Sequence, residues 1–408
     1  MTLDTIVTVG AGQTAAVAAR TLRRRGFEGR ILLVGDEPHP PYQRPPLSKE
    51  FLAGQQDRDS LLLLPEQWRE EQSVELLTGA AATRIDAGTG SVELADGRRL
   101  AADAVLVATG GRPRTLPVRG PEPDRVHYLR TIDDAEGLAT RLHPGARLVM
   151  IGGGLIGFEI ASTAQTLGVE VTVVEADPLP LARIFGAEIA EICACTAQAS
   201  GVTLRCGVPI DSVAAGRGEV VVTLADGATV AADIAVVGIG IVPNTEIART
   251  SGLAVDGGIL VDAQGRTSLP QVYAAGDVAA RFSDAAGTHL RVEHFDNANK
   301  QGMATANRML GRTGVVDTPH WFWSDQFGAN LQFTGSARYS QLIFRGSADA
   351  GEFTAFYLDN GVVRGAFARD RGGEIGAARE LIGRAVPPAR LADESTDLFD
   401  LMDEVTVS

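Results

Sequence analysis

The sequence predicts an α/β protein with two Rossmann-like parallel-sheet units, the second inserted in the first, and a small α+β unit at its C-terminal end. Three observations predict it. Apolar runs end in glycine-rich turns at Gly10 and Gly12, and again at Gly152, Gly154 and Gly157, and each turn leads into a helix-like stretch. The order hairpin, apolar strand, glycine, proline occurs over residues 91–113 and recurs over 219–243. Beyond residue 319, three strand-like runs and one late helix form a pattern of their own. The expected domains are 1–113 with 241–319, then 114–240, then 320–408.

In the first turn, Gly10 permits a tight bend and Gly12 lets backbone amides approach a pyrophosphate. The N-terminus of the following helix then faces two negative phosphates. A second apolar run, Ile31-Leu-Leu-Val, leads to Asp36, about 20 to 25 residues after the glycines, where a carboxylate accepts hydrogen bonds from ribose hydroxyls. One such turn is also what an ordinary βαβ unit would show. The second copy makes the dinucleotide reading strong.

Residues 38–54 are rich in proline. They read either as a linker or as a rigid turn that aims a short helix with Lys49 in its first turn. Residues 61–72 read as a loop and a helix carrying Trp68. Residues 91–100 form a hairpin pattern with Asp96-Gly97 at the turn. A buried strand follows and ends in Ala108-Thr109-Gly110, after which Arg112-Pro113 opens a crossing segment. Arg130 precedes an acidic helix that starts near Asp133.

The second turn carries the full Gly-x-Gly-x-x-Gly pattern at Gly152, Gly154 and Gly157. Its helix holds Leu155, Ile156 and Glu159, and the next strand ends in Glu175. A carboxylate there accepts hydrogen bonds from a free 2′-hydroxyl and repels a 2′-phosphate, which predicts NADH over NADPH. Arg183, further on, pulls the other way. A second hairpin (residues 219–230, turn at Asp226-Gly227) precedes a strand that ends in Gly238-Ile239-Gly240. Residues 267–277 give a short strand ending in Gly276-Asp277. Asp277 is either a surface turn residue or, beside a flavin, a partner for ribityl hydroxyls. Residues 291–302 lead a helix that ends near Gly311. Trp321 and Trp323 share one strand face, either as core or as an aromatic wall over an isoalloxazine ring. Strands near 331–333, 342–345 and 353–358 and a helix over 375–382 complete the chain.

The 408 residues carry a net charge of −14, which speaks for solubility and against non-specific nucleic-acid binding. No apolar run approaches the roughly 20 residues that span a bilayer. The chain enters its first strand without a basic region or cleavage site, which argues against a signal peptide. Three cysteines in such a length fit a reducing, cytoplasmic setting. Cys193-Ala-Cys195 and Cys206 form neither a redox pair nor a zinc set, and they read as small buried residues with no metal site.

Two glycine fingerprints, an Ala-Thr-Gly strand end and a late Gly-Asp together resemble the glutathione-reductase-like flavoproteins. Pro41-Tyr-Gln-Arg-Pro-Pro-Leu-Ser-Lys49 and Trp321-Phe-Trp-Ser-Asp-Gln326 narrow this. They resemble the NADH-dependent ferredoxin reductases of the putidaredoxin reductase and biphenyl dioxygenase type, from about Thr5 to Asp393. The resemblance implies tightly bound FAD in the first unit. Gly10, Gly12, Gln13 and Thr14 would hold its pyrophosphate and Asp36 its ribose. Arg44, Pro45 and Lys49 would line the phosphate and flavin side. Ala82, Thr109 (between Ala108 and Gly110), Arg130 and Asp277 match further FAD contacts, and Glu293, His294 and Phe295 match the segment passing the flavin's pyrimidine end.

For NADH, the same resemblance implies Gly152, Gly154, Leu155, Ile156, Gly157, Glu159, Glu175 and the loop Gly238-Ile239-Gly240. In relatives the Glu159 position lies near the nicotinamide and pairs with the Lys49 position, so these two are the expected catalytic residues. Electrons would pass to a small [2Fe–2S] ferredoxin that serves a Rieske oxygenase of aromatic-hydrocarbon catabolism or a cytochrome P450. The C-terminal domain resembles one that usually leaves the protein monomeric or weakly dimeric. His294-Phe295 departs from the usual Ser or Thr and resembles the apoptosis-inducing-factor branch. A redox-sensing NADH-binding flavoprotein is therefore one alternative, and rubredoxin reduction is another.

Overall fold

Parallel strands covered on both faces need near-continuous apolar runs. Thr5–Val9 meets that requirement, being buried at every residue but Thr5, and so does Arg147–Ile151, buried beyond Arg147. The computed structural model describes residues 3–283, 287–314 and 318–404. The chain divides into two units. One comprises Met1–Pro45, Asp57–Arg112 and Ile241–Thr318, and the other Pro46–Gln56, Pro113–Gly240 and Pro319–Ser408.

The first unit is built on a five-stranded parallel sheet in the order Val272–Ala274, Ala104–Val107, Thr5–Val9, Arg30–Val34, Val74–Leu77. The helix Gln13–Arg24 packs alanines and Leu22 onto this sheet, and the helix Phe295–Met309 packs beside it. The expected hairpin is present as Ser91–Leu94 and Arg99–Ala101, with Ala82–Asp86 added as a third strand.

The second unit repeats the parallel sheet in the order Val126–Tyr128, Ile234–Val237, Arg147–Ile151, Glu170–Glu175, Thr203–Cys206. One outer position differs in origin. The first unit fills it with a strand from late in the chain, Val272–Ala274, and the second with an earlier one, Val126–Tyr128.

The C-terminal strands form an antiparallel five-stranded sheet, with the helix Ile375–Leu381 packed against it. This sheet shares one core with the second nucleotide-binding sheet. Phe185 lies 6.0 Å from Phe322, 5.7 Å from Phe333 and 5.0 Å from Phe367, and Tyr357 Oη donates to the Phe185 carbonyl at 2.6 Å. The two packing units therefore differ in extent from the three expected domains: residues 46–56 and 320–408 pack with 114–240.

The cysteine expectation needs correction. Only Cys193 is buried, with its thiol pushed up to about 12 by desolvation, whereas Cys195 is exposed and Cys206 half-buried. Cys195 lies two places from Cys193 on the helix Ala187–Ala199, too few for the two side chains to share a face.

Candidate nucleotide sites and a buried ion pair

The first turn is set by sterics. Gly10 has φ +103°, and a Cβ there would lie 2.2 Å from the Ala108 carbonyl oxygen. Gly12 is different: a Cβ there would meet nothing within 4 Å. Gly12 caps the helix Gln13–Arg24 without a side-chain hydrogen bond, and the first turn holds no acid. Its free amides and the positive end of the helix dipole suit an anion. Gln13 donates its amide to Asn299 Oδ1 at 2.6 Å, while its own Oε1 is buried without a partner. An unpaired buried acceptor, an open Gly12 and uncapped amides together fit a dinucleotide at this turn.

Gly276 and three residues that sequence reasoning missed, Asn297, Gln301 and Gly302, surround the turn. A Cβ at Gly276 (φ +80°) would lie 2.4 Å from Thr14 Oγ1, and one at Gly302 would lie 2.7 Å from the Thr14 carbonyl oxygen. Gln301 accepts from the Gly276 amide at 2.8 Å and donates to Asn297 Oδ1 at 3.1 Å, and Asn297 holds the Val292 carbonyl at 2.8 Å. The signal was a run of polar residues, Asn297, Asn299 and Gln301, on an otherwise small-residue helix.

The other first-unit residues lie on several different elements. Asp36 is exposed, and Glu37 beside it is engaged by Arg44 at 2.5 Å and by the Tyr42 hydroxyl. Thr109 Oγ1 donates to the Asn244 carbonyl at 2.7 Å, and Gly110 (φ +60°) accepts from the Asn244 amide at 3.0 Å. Ala82 opens its strand, and Asp277 is half-buried, its carbonyl accepting from Arg291 at 3.3 Å. Glu293 is exposed and paired with Arg291, His294 caps the helix Phe295–Met309, and Phe295 is its first residue. Pro45 starts a short 3₁₀ helix, Pro45–Ser48, so Lys49 follows that helix rather than standing in its first turn.

The second turn repeats the sterics. Gly152 has φ +104° and its Cβ would lie 2.4 Å from the Gly238 carbonyl oxygen, while a Cβ on Gly157 would lie 2.3 Å from the Gly152 carbonyl oxygen. Gly154 is open, and it caps the helix Leu155–Thr166 without a side-chain bond or an acid in the first turn. Glu175 reaches back to the turn. It accepts from the Gly153 amide at 2.6 Å and from the Asp177 amide at 2.8 Å. Arg183 is paired with Asp177 at 2.6 Å. Ile156 is 49% exposed and Ile239 37% exposed, which leaves apolar surface on this unit, and Gly240 (φ +96°) accepts from the Arg114 amide at 2.9 Å.

Arg130 also belongs to the second unit, where its amide donates to Asp134 at 3.0 Å in the cap of the next helix. The tryptophans are half-buried, and Trp321 packs against the apolar cluster of the C-terminal sheet and its helix. Trp321 and Trp323 stack at 5.4 Å on the half-exposed face of their strand, while Phe322, Ser324 and Gln326 occupy its buried face.

Lys49 and Glu159 meet in the second unit. Lys49 Nζ lies 3.2 Å from Glu159 Oε2, with side chains 9% and 7% exposed. The Ser48 hydroxyl donates to the same oxygen, Ser324 donates to Oε1 at 2.6 Å, and Lys49 Nζ lies 5.9 Å from the Trp323 ring. Burial pushes the Glu159 carboxyl up from the ordinary range, against the opposing pull of Lys49, Ser324 and Ser48.

Comparison with known proteins agrees with this architecture. A family model described as pyridine nucleotide-disulphide oxidoreductase matches residues 4–302, and one described as reductase C-terminal matches 321–402. Rhodocoxin reductase of Rhodococcus erythropolis is 38% identical over 96% of this chain and 93% of its own. The ferredoxin–NAD(+) reductase component of the p-cumate 2,3-dioxygenase system of Pseudomonas putida is 37% identical over 98% of both chains. A chain in the crystal structure of the covalent putidaredoxin reductase–putidaredoxin complex superposes with a TM-score of 0.93, at 35% identity and 98% coverage of both.

Proposed function

Because the chain belongs to the pyridine nucleotide-disulphide oxidoreductase family, we propose that it is an FAD-dependent ferredoxin–NAD(+) reductase. The observation that carries the reading is the pair of open, uncapped glycine turns, Gly12 and Gly154, in one chain. Two such turns provide for two dinucleotides: FAD at the first and NADH at the second. Bound there, FAD would supply two-electron hydride chemistry toward NADH and one-electron chemistry toward an iron–sulfur partner.

The residues of the chain bind and orient. Gly10, Gly12, Gln13 and Thr14 hold the FAD pyrophosphate, with Asp36, Arg44, Pro45, Ala82, Ala108, Thr109, Gly110, Arg130, Asp277, Glu293, His294, Phe295 and Trp321 as its further contacts. Gly152, Gly154, Leu155, Ile156 and Gly157 take the NADH pyrophosphate, and Glu175 takes the adenosine ribose. Arg183, Ile239 and Gly240 complete the NADH contacts. Lys49 and Glu159 are the catalytic pair that positions the reacting ring. The domains 1–113 with 241–319, 114–240 and 320–408 would be the FAD-binding, NAD-binding and C-terminal α+β domains.

The acceptor is a [2Fe–2S] ferredoxin serving a ring-hydroxylating oxygenase or a cytochrome P450. The names of the p-cumate dioxygenase component and of the putidaredoxin complex support this. Three free thiols favour a cytoplasmic setting, and no described helix is long and apolar enough to cross a membrane. The resemblance of the C-terminal domain supports a monomer or weak homodimer.

The test is anaerobic. The yellow protein is reduced with one equivalent of NADH and mixed with a [2Fe–2S] ferredoxin while both chromophores are followed. Rapid flavin reoxidation with matching ferredoxin reduction is expected. A reduced flavin that persists beside several ferredoxins would overturn the reading.

A further inference from the structure

Glu159 offers two carboxylate oxygens, and they are held differently. Lys49 and Ser48 converge on Oε2, two neighbours in one short segment. Oε1 is held by Ser324, from the strand Trp321–Gln326 of the C-terminal sheet. Ser324 is 0% exposed, and Gln326, 3% exposed, donates its side-chain amide to Ser324 Oγ at 2.8 Å. An amide nitrogen donates and does not accept. The Ser324 oxygen therefore receives from Gln326, and its single proton points to Glu159.

From this relay, which rests on the assignment of Glu159 and Lys49 to the cofactor site, we propose that Ser324 is a positioning residue that holds Oε1, the Glu159 oxygen that Lys49 and Ser48 do not engage, and so fixes the carboxylate. Trp321 and Trp323 stand on the other face of this strand, and the residue between Phe322 and Gln326 on the buried face makes the contact. Two independent anchors on one carboxylate remove its rotation, and with it the freedom of the Lys49 ammonium.

The other charges on elements packed against the Glu159 helix are engaged or turned outward. Asp325 is held by Asn330, Arg147 is paired with Asp233, Glu175 binds the glycine turn, and Glu170 is exposed. Lys49 is the charge that acts on Glu159. A donated hydrogen bond favours the ionised carboxylate, so removing it raises the pH at which Glu159 takes a proton.

The experiment uses the full chain with FAD bound. NMR of labelled glutamate carboxyls is followed against pH, with the Glu159 signal assigned by its loss in Glu159→Gln. Ser324→Ala is expected to raise the Glu159 midpoint by about one pH unit, the size of one bond to a charged group. The pH profile of flavin reduction by NADH should move with it. Gln326→Leu keeps the hydroxyl and should shift the midpoint in the same direction by less, so the relay is tested even if Ser324→Ala folds poorly. An unmoved midpoint in both variants would overturn the proposal. Glu159→Gln reducing its flavin at the wild-type rate would instead overturn the reading of the pair itself.

Discussion

The two glycine turns share a backbone and differ in what surrounds them. In each, the first glycine amide bonds to the carbonyl of the last residue that the neighbouring strand pairs with the glycine's own strand, Val34 for Gly10 and Val174 for Gly152. The registers Val9↔Val34 and Ile151↔Val174 make Gly35 the counterpart of Glu175. The acid that closes onto the second turn therefore has no equivalent at the first, where Asp36 stands one residue later and exposed. Thr14 is buried beneath Gly276 and the helix Phe295–Met309, whereas its counterpart Ile156 is half exposed. A covered turn suits a cofactor that stays, and an open one suits a coenzyme that exchanges with every turnover.

The largest test strikes the shared geometry. Gly10→Ala combines a positive φ with a backbone clash at 2.2 Å, so it should cost about 3 kcal/mol or more and yield protein without flavin. Gly152→Ala should instead leave a yellow protein that NADH no longer bleaches. Flavin absorbance and thermal unfolding read both, and a stable, yellow Gly10→Ala protein would break the comparison.

The register difference gives the next test. A Cβ on Gly35 would lie 2.8 Å from Ala11 Cβ, so Gly35→Glu alone should lose about 1–3 kcal/mol. Adding Ala11→Gly, which recreates the Gly153 arrangement, should recover most of it in a thermal melt. No recovery would mean that the registers are not equivalent in energy.

Coenzyme choice is a smaller effect. Glu175→Ala with Asp177→Arg should move the NADH-to-NADPH preference by roughly tenfold, read as the ratio of kcat/KM values. Equal use of both coenzymes by the wild type would remove the role given to Glu175. Smallest is Arg183→Ala. Arg183 is 81% exposed and already paired with Asp177, so the KM for NADH should change by less than about twofold.

Much of this was legible in the sequence because it is local. Gly10 and Gly152 take a positive φ in their own turns, although the carbonyls they approach, Ala108 and Gly238, stand 98 and 86 residues further on; Gly157 approaches the carbonyl of Gly152 five residues before it, and the Asp96-Gly97 hairpin is set by its own turn. The contacts on Glu159 were not legible in that way. Ser48 and Ser324 stand 111 and 165 residues from it, and nothing in either neighbourhood marks a serine that will meet a buried carboxylate. The alternation of Trp321 and Trp323 gave a shared face but not which face is covered, since that depends on what packs above the strand. The grouping of the C-terminal sheet with the second unit hid for the same reason: Phe185 looks like any helix phenylalanine until Phe322, Phe333 and Phe367 gather around it.

The excursion of residues 46–56 out of the first unit has a consequence for recombination among relatives. The backbone passes from one packing unit to the other at five junctions, after Pro45, Gln56, Arg112, Gly240 and Thr318. A chimera that exchanges only residues 113–240 would separate Glu159 from the parental Ser48, Lys49 and Ser324, and would mismatch a core as well. A graft that preserves coenzyme handling has to carry three segments together, the shortest being the eleven-residue strip around Lys49.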